Sequence, residues 1–196
     1  MQSSTQEILP IIGTEMDGGY YGGRIIVDSK PIALIVPPKA QSEHEGIWID
    51  DYTDVPGALS YSDGLANTQS MAAAGSALAQ KALDLRMYIP SLDELEILYR
   101  NLKPTTDKNS CWARSGINLS AIQPTQPYTP DFPLQTNAEL FKEGGAEAYA
   151  SEWYWTSTQH ASGSDCAWCQ HFDYGSQRCY YKVDKFRARF VRRLPL

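Results

Sequence analysis

Two periodicities divide the chain. Between Met71 and Leu85 apolar residues recur at spacings of four, three, four and three (Met71, Gly75, Leu78, Ala82, Leu85). That stripe predicts one helix over residues 64–86, with Asp63 or Asn67 capping its start. A second helix is predicted from Ser91, where Glu94 three positions on completes a capping-box pattern. Leu92, Leu95, Leu98 or Tyr99, and Leu102 form its buried stripe, and Asn101 and Pro104 end it. Elsewhere the period is two. Arg24–Val27 and Ile32–Val36 flank Asp28-Ser29-Lys30-Pro31, a hairpin closed by Pro37-Pro38. Trp153, Trp155 and Ser157 alternate with Tyr154, Thr156 and Thr158. Cys166–Phe172 and Gln177–Val183 flank the turn Asp173–Ser176, and Phe186, Ala188 and Phe190 alternate with Arg187 and Arg189. The last three segments read as an antiparallel meander that closes the domain.

Residues 103–136 show no period. Five prolines (Pro104, Pro124, Pro127, Pro130, Pro133) set extended segments and turns, and Trp112, Tyr128 and Phe132 favour an ordered loop packed on the body. Such a loop is either a ligand-binding element or a structural cover. Thr136 with Glu139 offers another capping box, for a short helix ended by Gly144-Gly145. Tyr20-Tyr21 stands between Gly18-Gly19 and Gly22-Gly23, but no GK[ST] follows, so the glycines mark turns and close approach rather than a phosphate cradle.

Four motifs in a fixed order resemble the Lcl C-terminal-domain family. They stand here as Ile89-Pro90-Ser91-Leu92-Asp93-Glu94-Leu95, Tyr154-Trp155-Thr156-Ser157-Thr158, Ala167-Trp168 with Phe172 and Gly175, and Arg189-Phe190-Val191-Arg192-Arg193. The stretches ALIVPPKA (33–40), DGLANT (63–68) and LEILYRNLKPTT (95–106) are similar to the family's phage subgroup. Met87-Tyr88 stands where the family often carries a Trp or Tyr pair. The resemblance implies a C-type-lectin-like fold, related to the formylglycine-generating-enzyme group, and a place among tailed-phage proteins. The expected fold is therefore α+β. A β-arm over residues 1–40, a docking hairpin, precedes a C-type-lectin-like domain over 41–196 whose two main helices pack on a curled antiparallel sheet.

Charge and composition narrow the function. The 196 residues carry a formal charge of −6, which argues against a nucleic-acid partner. No apolar run approaches a membrane span, so no membrane insertion is expected. MQSSTQEILP has no basic n-region, so synthesis in a host cytoplasm without a signal peptide is expected. Twelve Tyr and five Trp suit either an interaction surface or an aromatic core.

Candidate chemistry is sparse. Glu43-His44-Glu45 reads as a solvated loop, because neighbouring side chains on extended chain point apart. Cys166-x-x-Cys169-x-His171 resembles a zinc motif superficially, but strand parity separates Cys166 from Cys169 and His171. A hairpin centred on Tyr174 sets Cys169 opposite Cys179, where a disulfide is conceivable and buried free thiols are the plainer reading. The related enzymes hold copper with a cysteine pair, which makes a cysteine- or metal-dependent enzyme a remote alternative. Cys166, Cys169 and Cys179 do not match that motif, and no calcium-lectin Glu-Pro-Asn or Trp-Asn-Asp signature occurs. Arg187, Arg189, Arg192 and Arg193 form either an anionic-ligand site or an ion-pair ladder.

The expected function is that of a virion protein on the particle surface, without metal or cofactor. One role is a tail-associated lectin-like module that binds a host glycan or protein. The other is a capsid decoration or accessory subunit in a homo-oligomer or lattice with other virion proteins. The ligand-binding candidates are Trp112, Tyr128 and Asp131 in the long loop, His160 and Asp165 in the 159–165 turn, and Tyr174 at the hairpin.

Overall fold

The structure, a computed structural model, describes residues 10–110, 117–122 and 128–196; Trp112 and Cys111 lie outside them. The first sheet is built from both ends of the chain. Its order is β1 (Glu15–Met16), β2 (Gly19–Val27), β3 (Lys30–Val36) and β9 (Arg192–Pro195). The second sheet has the order β4 (Glu43–Ile47), β8 (Lys185–Arg189), β5 (Trp153–Gln159), β6 (Cys166–His171) and β7 (Gln177–Tyr181). The helices are α1 (Lys39–Ser42), α2 (Gly64–Ala73), α3 (Ala77–Asp84) and α4 (Leu92–Leu102). The fold is thus mixed α+β, with helices against a curled and largely antiparallel sheet.

The β2–β3 hairpin forms with a tighter turn than the four residues expected. Val27 pairs with Lys30, so Asp28 and Ser29 alone reverse the chain, both at positive φ (48° and 64°). That two-residue geometry matches the strands' right-handed twist. Ile25, Val27, Ile32, Leu34 and Val36 then share one core with Leu95, Leu98 and Leu102 of α4. Within the β-arm expected over residues 1–40, one apolar face of the β2–β3 hairpin is covered by this chain's own α4.

The single helix expected over 64–86 is two. Gly75 takes φ +103°, a conformation that ends α2, and the Ser76 hydroxyl accepts from the Ala79 amide to start α3. Asp63 caps α2 by accepting from the Ala66 amide. Met71, Leu78 and Ala82 remain buried in the second core, whereas Leu85 falls past the end of α3 and is exposed. On α4 the whole capping box is present: Ser91 Oγ accepts from the Glu94 amide, and Glu94 Oε2 accepts from the Ser91 amide at 2.7 Å. Glu94 also accepts from the Gly64 amide (3.1 Å) and the Tyr88 hydroxyl (2.9 Å), so one buried carboxylate ties the N-termini of α2 and α4 together. The box expected at Thr136 does not form. Thr136 Oγ1 accepts from Ala138 instead, and only a short 3₁₀ turn, Glu139–Phe141, follows.

In the second sheet β5, β6 and β7 make the expected meander, but β8 does not extend it. It returns to lie parallel to β5 and antiparallel to β4. The reason is that β5 is buried on both faces, Tyr154 in one core and Trp155 in the other, and such a strand belongs inside a sheet. Glu43-His44-Glu45 is accordingly an edge strand rather than a solvated loop, with Glu43 in register with Arg189 and Glu45 with Arg187. The β6–β7 hairpin is centred half a residue before Tyr174. Cys169 faces Arg178, and Cys179 faces Trp168, because a four-residue turn closes with His171 N donating to Ser176 O. That shift sends Cys179 to the opposite face from Cys169. Cys166, Cys169 and Cys179 are all free thiols, and the conceivable 169–179 bridge is not made.

Candidate functional site

The curl of the second sheet assembles a row of rings. Trp153 pairs with His171 across β5–β6, and Tyr180 on β7 shares their face. His171 stacks on Tyr174 at 4.4 Å and 13°, and meets Trp153 edge-on at 5.0 Å. Trp153 lies 5.1 Å from Tyr180, and Tyr180 lies 5.0 Å from Phe186. β7 and β8 are three places apart in the sheet order, which in a flat sheet is roughly 14 Å. Contact between Tyr180 and Phe186 therefore measures the curl directly. All five rings are partly exposed. Edge-to-face contacts of this kind add about 0.5–1.5 kcal/mol each beyond burial, so the row is held in place without a ligand.

Electrostatics keep the row apolar. Burial lowers the His171 pKa against the pull of Glu152, which favours the neutral ring. Burial raises the Tyr180 pKa, opposed by the guanidinium of Arg178 at its hydroxyl. Arg178 reaches this face because it stands opposite Cys169.

The four clustered arginines form the ion-pair arrangement. Arg187 meets Glu43 (3.1 Å) and Glu152 (3.0 Å), Arg192 meets Asp17 (3.0 Å), and Arg193 meets Asp63 (2.9 Å). Arg189, with a fully buried side chain, bonds Glu147 at 2.7 Å and the Pro37 carbonyl at 3.2 Å, with Glu43 3.5 Å away.

The predicted site residues do not come together in one place. Tyr128 and Tyr174 meet, with the Tyr128 hydroxyl donating to the Tyr174 carbonyl at 3.4 Å; Tyr128 also packs beside Tyr99 at 6.2 Å. Asp131 is an exposed carboxylate 3.9 Å from Lys108 and joins neither tyrosine. His160 and Asp165 sit at the other end of β6, roughly 17 Å from the turn by strand rise. There His160 packs on Trp168 (5.1 Å), its Nδ1 accepts from the Ser162 amide, and the Asp165 carbonyl accepts from the Lys182 amide. Trp153, Arg178, Tyr180 and Phe186 were missed. Parity alone places Trp153 on a face, but the curl that brings Phe186 to Tyr180 has no local signal.

Burial pushes the Cys166 thiol up to about 11, helped by Asp165 and Cys179, and raises that of Cys169 well above its ordinary value. Both are held as neutral thiols near pH 7. Among the described residues no group of three or more His, Cys, Asp or Glu side chains is arranged to hold a metal ion. A groove of about 640 Å³ opens elsewhere, between β2, α4 and residues 132–138, lined by Ile12, Tyr21, Ile97, Phe132 and Leu134. Ile11 and Leu134 on its rim are 81% and 64% exposed.

No protein-family model matches the chain, and no curated protein matches it. A fimbrial protein from Bacteroides ovatus ATCC 8483 superposes with a TM-score of 0.44 at 12% identity, over 82% of this chain and 35% of its own length. This chain thus spans about a third of that protein, and a likeness so slight assigns neither a fold family nor a role.

Proposed function

We propose that this chain is a lectin-like binding module displayed on a bacteriophage particle, and that it engages a host-surface glycan through the row Tyr174, His171, Trp153, Tyr180 and Phe186. The observation that carries the reading is the row itself: aromatic rings held by one another, partly exposed and lining a curled sheet. Sugar rings present apolar C–H faces, and pre-positioned aromatic faces bind them at little entropic cost. The motif order and the absence of a calcium-lectin signature in the sequence favour the same, metal-independent mode.

A second reading, a capsid-decoration or accessory subunit assembling with copies of itself or other virion proteins, is favoured by the exposed aliphatic rim of the 640 Å³ groove. Two measurements separate them. Purified protein is expected to adsorb to host cells, with Trp153→Ala weakening adsorption about tenfold or more and leaving the folded structure intact. Immunogold labelling of particles is expected to decorate the tail end. Label spread over the head, with adsorption insensitive to Trp153→Ala, would establish the decoration role instead.

A further inference from the structure

Beside the ring row stands a cation with no carboxylate partner among the described residues. Arg187 is held by Glu43 and Glu152, and Lys185 by Glu45. Arg178 is exposed, lies on the same face as Cys169 and Tyr180, and has no carboxylate partner among the described residues. The contrast with the clustered arginines is informative, because all four of those are paired with carboxylates in a chain of net charge −6. Solubility is served by that acidic excess, and β7 is an edge strand where any exposed polar residue would fit. Arg178 is an exposed residue beside the Tyr180 hydroxyl, and the planar fork of a guanidinium suits a carboxylate.

Resting on the glycan-binding reading above, we propose that the ligand is an acidic oligosaccharide. Its pyranose faces stack on Trp153 and Tyr180, and the carboxylate of a uronate- or sialate-type residue bonds Arg178. Tyr174 and His171 extend the same surface on one side and Phe186 on the other, so neighbouring sugars need no charge of their own.

The test is binding of the purified full chain to a panel of immobilised oligosaccharides with galacturonate, glucuronate and sialate members, each alongside a counterpart whose carboxylates have been reduced to alcohols. At low salt at least one acidic member is expected to bind about tenfold more tightly than its reduced form, the worth of one charge-assisted hydrogen bond. The margin shrinks as salt is raised, because the pair is at the surface. Arg178→Gln is expected to remove the margin between the acidic and reduced forms, with a urea midpoint at the wild-type value as the control that the variant is folded. Equal binding of acidic and reduced forms, or a preference that survives Arg178→Gln, overturns the acidic ligand and leaves the glycan reading standing. Binding to no member overturns both.

Discussion

Replacing Glu94 with Gln isolates the energetic cost of one buried charge. Glu94 is fully enclosed, and burial raises its pKa from the ordinary 4.5 to about 7. Hydrogen bonds from Ser91 and from the Tyr88 hydroxyl oppose that shift, while the nearby Asp63 adds to it and is itself paired with Arg193. Desolvation wins because the carboxylate has no cation of its own among the described residues. Between pH 4.5 and 7 the folded chain holds a proton here that the unfolded chain has released. Stability from this group is thus full below about pH 4.5 and is lost as pH rises through about 7, by about 3 kcal/mol in all. A glutamine keeps the geometry: its carbonyl accepts from Ser91 and Gly64, and its amide donates to the Tyr88 oxygen. Urea unfolding of both proteins at pH 4.5, 5.5, 6.5 and 7.5 is the assay, since every other titrating group cancels in the difference. The variant is expected to gain about 3 kcal/mol on the wild type across that range. A difference that is flat with pH, or one that moves in the wild type's favour as pH rises, would refute the assignment of the cost to this carboxylate.

Two further outcomes follow from burial alone. Arg189→Met leaves Glu147 and Glu43 beside each other without their buried counter-charge and is expected to cost about 3–5 kcal/mol in urea unfolding, with Glu147→Gln restoring part of it; a cost under about 1 kcal/mol would contradict the network. Of the described thiols, exposed Cys179 is expected to react first with a thiol reagent in the native protein and Cys169 only on unfolding, read by peptide mass; labelling of native Cys169 at the rate of Cys179 would contradict the register of β6 and β7.

Local chemistry was legible and long-range placement was not. The capping box at Ser91 needs only residues three apart, so α4 could be read almost to its last residue. The break between α2 and α3 was invisible to periodicity, since Met71, Leu78 and Ala82 stay buried on both sides of Gly75. Alternation identified β8 as a strand, but alternation does not say which neighbours a strand takes. Its seat between β4 and β5 follows from burial on both faces of β5. The same limit governed the site. Tyr128 and Tyr174, 46 residues apart, were each suspected and do meet. Arg178 was hidden by a half-residue error in the centre of one hairpin, which is enough to turn a side chain to the other face.

The pairing of β3 with β9 bears on how the protein is made. Ile32 to Ile35 are synthesised early, yet their partners are Arg192 to Pro195, more than 150 residues later. Until that segment leaves the ribosome, β3 presents an unpaired apolar edge, and neither sheet order nor the core around Leu34 and Val191 can be completed. Completion of this sheet therefore waits for Arg192 to Pro195, and a chain cut short of Arg192 carries a sticky strand edge rather than a smaller fold.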